Sequence, residues 1–341
     1  YMGVTAVKII QATLVFLGRP PFQNNFQPME DRLPFSVGDL TVTPYMVDHS
    51  AFDAYSLLVE GDGERVFYTG DFRMHGRKKS LMEDFLADPP DPVDVLITEG
   101  TMLDRTNEAM PSETAAEQAM VDLLNTTEGA GLLICSSQNL DRLVTAYRAC
   151  IRSGRVFVID IYTAWILRLI SEDPRTANIP DISWDGIRVL AKGFTAGRHY
   201  EKMKSNSEYF GKFAREVYAP GTLITHDEIE QDPARYLIKN PRPEWLIGEL
   251  CLLPCLVIYS MWEGYLEQEF NATGWQRYAR LSEDDAIDFR VVHTGGHAVL
   301  GDLRRLVGAL RPGEIVPVHT EDGKRLVELL KSEKIQLTME Q

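Results

Sequence analysis

Residues 54–71 read AYSLLVEGDGERVFYTGD. Ala54 to Glu60 and Glu64 to Thr69 are β-rich runs, and the glycines of Gly61-Asp62-Gly63 between them tolerate the positive φ of a tight hairpin. Two antiparallel strands are expected, with Asp71 just past the end of the second. Upstream, Asp39 to Val47 reads as a strand that runs into His49 within VDHSAFDAY (47–55). Downstream, Val93 to Thr98 is short and almost continuously apolar, as a buried strand is, and it delivers Glu99 into LITEGT (96–101). Three strands thus each end on an ionisable side chain.

The pattern continues as α/β. Val4 to Leu17 places Val7, Ile10, Leu14 and Leu17 on one stripe of a helix closed by Gly18. From about Pro111 the character changes: Ser112 is a suitable N-cap, with Glu113 and Glu117 opening a helix to Leu124. Leu132 to Cys135, a helix from Asn139 to Ser153 closed by Gly154, and Val156 to Ile159 make a βαβ unit. A long polar helix is expected between Arg198 and Val217, with looser chain around Pro220, Pro233, Pro241 and Pro243. Cys255 to Tyr259 restores a buried strand. Val291-Val292 precedes His293, and Ile315 to Val318 precedes His319.

The 341 residues exceed the usual size of one core, so two lobes, or one domain carrying a large insertion, are expected. A formal charge of −15 argues against coating nucleic acid by bulk electrostatics, so any such contact is local. No apolar run approaches the roughly 20 residues that span a bilayer, and the residues from Tyr1 onward do not read as a basic-then-apolar leader. The four cysteines (Cys135, Cys150, Cys251, Cys255) lack CxxC spacing, which fits a reduced, cytoplasmic protein. Residues 187–216 are locally basic, with Arg188, Lys192, Arg198, Lys202, Lys204, Lys212 and Arg215, a pattern best read as a solvated helix face.

Five strand-end residues belong together: His49, Asp71 in YTGDFRMHGRKK (68–79), Glu99, His297 in HTGGHA (293–298), and His319 in VPVHTE (316–321). Imidazole and carboxylate are the ligands that suit zinc, provided three or four converge. Thr294-Gly295-Gly296 is a small-residue turn whose backbone N–H groups can approach a phosphate. Ser136, Ser137 and Asn139 follow a strand and open a helix, which serves equally well as a phosphate cradle or a plain N-cap. His75, His199 and His226 fall in no motif, and His293 reads as support for its neighbours.

On these motifs the chain resembles the β-CASP branch of the metallo-β-lactamase-fold nucleases, ribonuclease J-like proteins above all. The resemblance implies an α/β protein: a four-layer αββα metallo-β-lactamase domain from residues 1–108 and 286–341, interrupted by a β-CASP lobe at 109–285, with substrate between them. It implies two zinc ions, with His49, Asp71 and His319 as ligands and Asp71 bridging. Glu99 would tune the site, and His297 would contact phosphate or assist the leaving oxygen. Ser136, Ser137, Asn139, Gly295, Gly296 and His297 would meet the substrate. The reaction implied is metal-assisted hydrolysis of a phosphodiester in RNA, or in DNA, with a homo-oligomer as an open possibility.

Three departures qualify the resemblance. No HxHxDH motif occurs in these residues; it is expected before residue 1, so the chain reads as a fragment that binds zinc poorly and lacks activity alone. Gly295 stands where serine is frequent. Ser260-Met261-Trp262-Glu263-Gly264-Tyr265 replaces a glycine- and glutamine-rich turn, and its aromatic pair reads as packing. The rival readings are a zinc hydrolase of a small ester, thioester or lactam, and a non-catalytic scaffold that binds RNA or a partner.

Overall fold

The structure, a computed structural model, describes the chain except for residues 22–24, 91, 104–111, 177, 192–193 and 340–341 and the side chains of 194–196 and 332–339. Lys192 and the expected boundary at 108 lie outside the described residues. Two compact units emerge. One comprises Tyr1–Val4, Phe26–Met110 and Gly295–Gln341; the other comprises Thr5–Asn25 and Pro111–Thr294.

The first unit opens with β1 (Met2–Gly3), which pairs with β2 (Pro28–Met29) on the far side of helix α1 (Val4–Leu17). There follow β3 (Phe35–Val37), β4 (Leu40–Met46), the hairpin β5 (Tyr55–Gly61) and β6 (Glu64–Tyr68), helix α2 (Lys79–Ala87), and β7 (Val95–Glu99). The hairpin matches expectation: Gly61 pairs with Glu64, and Asp62 and Gly63 take positive φ at the turn.

The second unit holds α1 and begins again with α3 (Glu113–Thr126), where Ser112 accepts from the Ala115 N–H as the expected cap. Next come β8 (Gly131–Ile134), α4 (Leu140–Ser153), β9 (Val156–Asp160), α5 (Ile161–Ser171) and β10 (Ile187–Leu190). The long helix expected between Arg198 and Val217 is three pieces, α6 (Phe194–Ser205), α7 (Ser207–Phe210) and α8 (Lys212–Glu216). The chain breaks at Asn206 and at Gly211, whose positive φ of 54° no helix accommodates. Then follow β11 (Leu223–Ile224), α9 (His226–Gln231), β12 (Tyr236–Lys239), α10 (Pro243–Glu249), β13 (Cys255–Tyr259), α11 (Trp275–Ser282) and β14 (Ile287–Val291).

These strands form one parallel sheet in the order β11-β10-β9-β12-β8-β13-β14. Two expectations change here. The βαβ unit from β8 to β9 does not join neighbours, because β12 lies between them. The return to the first unit falls after Thr294 and not at 286, because β14 pairs with β13 along its whole length. Leu132, Val158, Ile238, Val257 and Tyr259 form the centre of this unit's core, with α10 and α11 adding Leu246, Ile247, Tyr278 and Leu281. α1 sets Phe16 against Tyr162 and Phe210, with ring centroids 5.1 and 5.4 Å away. Trp262 packs edge-on against Tyr265 and Phe270, both of them exposed.

The chain re-enters the first unit through α12 (Leu300–Leu310), β15 (Glu314–Val318) and α13 (Gly323–Met339). Its sheet runs β15-β7-β6-β5-β4-β3, parallel from β15 to β6 and antiparallel beyond. Register lines up Leu58, Phe67, Leu96 and Ile315 across four strands on one face. There they meet Met82 and Phe85 of α2 and Leu303, Leu306, Val307 and Leu310 of α12. Burial of each such side chain is worth about 1.5–3 kcal/mol. The opposite face carries Leu57, Val59, Val66, Val95 and Ile97, all half-buried. A four-layer αββα domain needs two facing sheets; the described residues of this unit form one six-stranded sheet and a two-stranded ribbon.

Candidate metal centre

Parallel pairing brings the C-terminal ends of β15, β7 and β6 to one edge of the six-stranded sheet. The two antiparallel steps through β5 turn the end of β4 to the same edge. His319 follows β15, Glu99 ends β7, Asp71 follows β6 and His49 follows β4. His297 arrives in the loop before α12. All five residues lie in the first unit.

Asp71, His297 and His319 each place one ligand atom so that all three atoms lie within 4.8 Å of one another. The Asp71 Oδ1 is 3.2 Å from His319 Nδ1 and 3.9 Å from His297 Nδ1. His319 sits at φ 51°, a left-handed conformation uncommon outside glycine, immediately after its strand. The Thr101 hydroxyl lies 3.3 Å from its Nδ1. Side-chain exposure is 40% for Asp71 and 58% for His319, so this corner faces solvent.

Glu99 is different: its carboxylate is 1% exposed. Oε1 accepts the Phe72 N–H at 2.9 Å, while Oε2 is 2.8 Å from His297 Nδ1. A carboxylate against Nδ1 fixes the imidazole tautomer with the proton on Nδ1 and leaves Nε2 as the ligand nitrogen. His49 is held alike by another acceptor, its Nδ1 donating to the Gly296 carbonyl at 2.8 Å. Burial is the largest influence on its pKa and lowers it, disfavouring the charged ring. Its ring centroid is 6.2 Å from that of His297.

The Gly295-Gly296 turn also serves the site through its backbone oxygens. Its carbonyls are the engaged groups: Gly295 O accepts from Arg73 Nη1 at 2.8 Å and faces His75 Nε2 at 3.2 Å, and Gly296 O holds His49. A Cβ on Gly296 would lie 3.0 Å from the His49 ring, a tight contact. Ser136, Ser137 and Asn139 follow β8 in the second unit. Asn139 Oδ1 accepts the Arg142 N–H at 3.0 Å as the cap of α4, the Ser136 hydroxyl accepts the Gln138 N–H, and Ser137 Oγ accepts from Lys239 Nζ at 2.7 Å.

Two residues that the motif reading passed over brace the site. Asp48 and Arg73 are fully buried, their charged atoms 3.6 Å apart. The Arg73 N–H donates to Asp48 O, the Gly76 N–H donates to Asp48 Oδ2, and Arg73 reaches on to Gly295 O. This one pair therefore ties the loops that carry His49, Asp71 and His297. A Cβ at Gly76 would collide with both partners. The signal in the sequence was adjacency: a charged residue one place before His49 and another two places after Asp71.

No family model matches the sequence. Over 145 residues, 42% of this chain, it is 23% identical to ribonuclease J of Helicobacter pylori strain 26695, and the same holds for strain B128. The chain spans about a fifth of the length of these relatives, 21% of each. A crystal structure of a protein of unknown function from Enterococcus faecalis V583 superposes with a TM-score of 0.69 at 20% identity, over 95% of this chain and 70% of that one. The present chain shares its fold. Among the described residues, no helix is long and apolar enough to cross a membrane.

Proposed function

We propose that the protein is a metal-dependent phosphodiester hydrolase acting on RNA, of the ribonuclease J-like, β-CASP metallo-β-lactamase kind, with its metal at the edge of the six-stranded sheet. The convergence of Asp71, His297 and His319 carries this reading. Two imidazoles and a carboxylate form a donor set that suits zinc, and three protein ligands with an open position are what a catalytic zinc site uses. The low-identity similarity to ribonuclease J supports RNA as the substrate class.

When bound, a divalent cation supplies a Lewis acid for a phosphoryl oxygen and lowers the pKa of water. The chain's own residues do the rest. Asp71, His297 and His319 hold the ion; Glu99 fixes the His297 ring; the Asp48–Arg73 pair fixes the three loops. His49, whose Nδ1 donates to the Gly296 carbonyl, keeps Nε2 for the ligand role that the resemblance assigned to it, although it stands outside the convergent trio. In this reading His297 belongs to the metal, whereas the resemblance assigned it to phosphate.

The test is hydrolysis of a short 5′-phosphorylated RNA by the metal-loaded protein. Cleavage that Asp71→Asn abolishes supports the proposal; a protein that binds metal and leaves RNA intact overturns it.

A further inference from the structure

Within the second unit, helix α5 ends at Ser171 and the chain runs through residues 172–186 before β10 begins at Ile187. A crossover helix runs back against the parallel strands it joins, here β9 and β10. The connection after α5 therefore lies at their N-terminal edge, where the Gly186 carbonyl accepts the Phe157 N–H at 2.8 Å. A cavity of about 400 Å³ opens beside it, within the range of small-molecule sites. Arg168, Ser171 and Glu172 line it from α5 and its cap, and Thr176, Asp181 and Trp184 from the connection.

This wall offers acceptors and negative charge. Ser171 donates its hydroxyl proton to the Arg168 carbonyl at 2.9 Å and Thr176 to the Ile170 carbonyl at 2.7 Å, so each oxygen keeps its lone pairs. Asp181 is buried; burial opposes its ionisation, but Arg168 and the Ser183 N–H hold its carboxyl below the usual carboxylate range. Arg168 is the cation among the described lining residues, and its donors are already engaged. Nε and Nη2 donate to Asp181 at 2.8 and 3.1 Å, and Nη1 lies 2.6 Å from Glu216 Oε2. Glu172, the cap residue of α5, is exposed and adds a further carboxylate. The negative pole of α5 reinforces them.

Trp184 supplies the apolar part, 36% exposed and edge-on to Tyr147 with ring centroids 5.7 Å apart. Such a wall repels an anion. A bare metal ion would use the carboxylates and leave the indole idle, whereas an organic cation uses both: its N–H groups meet the acceptors, and its charge and methylenes lie on the ring. We propose that this cavity binds an aliphatic polyamine, an alkyl chain carrying primary ammonium groups. The site is independent of the function assigned to the metal centre.

Calorimetric titration with putrescine and with spermidine, on protein stripped of metal beforehand, tests the proposal. One saturable site per chain is expected. Glu172→Gln should weaken it about threefold, as an exposed charge pair does. Trp184→Leu should weaken it about tenfold by removing the ring, and Trp184→Phe should recover much of that loss. Glu172 is exposed, so its variant tests the site even if Trp184→Leu perturbs packing; unfolding temperatures check all three. The uncharged diol of putrescine's length should not bind. Absence of saturable binding up to millimolar polyamine overturns the proposal. So does affinity that none of the substitutions changes, or many weak equivalents that added potassium chloride removes, which would mark polyamine gathered by the net charge of −15 alone.

Discussion

At the edge of the six-stranded sheet, Asp71 and His319 stand in solvent with the ring of His297 beside them. At the same edge of the parallel sheet, Asp160 and Lys239 are buried and face each other. Both edges gather ionisable side chains where strands end, yet they are prepared differently. The first offers nitrogen and oxygen donors converging on a point, which a cation completes. The second has already balanced its central charges. Each edge is also braced by a buried arginine, Arg73 against Asp48 in one unit and Arg142 against Glu113 in the other.

Those two arginines give the largest expected effects. Arg73→Leu and Arg142→Leu should each cost about 3–5 kcal/mol, because each leaves a buried carboxylate uncompensated; denaturant unfolding measures it. The variants should part company on metal: Arg73→Leu weakens zinc binding, while Arg142→Leu leaves it unchanged in protein that remains folded. Equal loss of zinc in both would erase the distinction drawn between the two edges.

A smaller effect is expected at Glu99. Glu99→Gln keeps the shape but replaces the anionic partner of His297, and loss of such a partner typically lowers metal affinity 10–100-fold. Competition with a chromophoric chelator reads it directly; affinity unchanged by the substitution would remove Glu99 from the centre.

Much of this was legible. The hairpin and the bounds of α1 follow from turn chemistry and period, because each is a local pattern in the chain; the buried face of α1, however, is Thr5, Ile9, Ala12 and Phe16 and not the expected stripe, and of the five residues read at strand ends His297 lies in the loop before α12. The strand β12 was not legible: Tyr236-Leu237-Ile238-Lys239 is four residues between Pro233 and Pro241, and proline-rich flanks read as loop. That strand occupies the middle of the parallel sheet and carries Lys239, so the second edge was invisible without it. The helix after Arg198 was read as continuous because its break depends on the backbone at Gly211, which periodicity does not report. The Gly295-Gly296 turn was recognised, but the use of its carbonyls was not, since that depends on His49 and Arg73 arriving from distant positions.

Smaller still, Asn139→Ala should cost about 1 kcal/mol by removing the cap of α4. Zinc binding should be unaffected, because the Asn139 side chain is engaged with its own helix. Thermal unfolding and zinc titration together check this. Stability unchanged by the substitution would remove Asn139 as the cap of α4.

The central claim rests on the trio at the first edge, and zinc stoichiometry tests it most directly. The protein is stripped with chelator, titrated with zinc by calorimetry, and compared with Asp71→Asn, His297→Gln and His319→Gln. Against the sequence expectation of weak zinc binding, which counted too few ligands, the trio of Asp71, His297 and His319 predicts one tight equivalent per chain, with each substitution weakening it more than about 100-fold, beyond the effect of losing an outer partner. No zinc bound by the unsubstituted protein, or a His297→Gln variant that keeps its zinc, would contradict it.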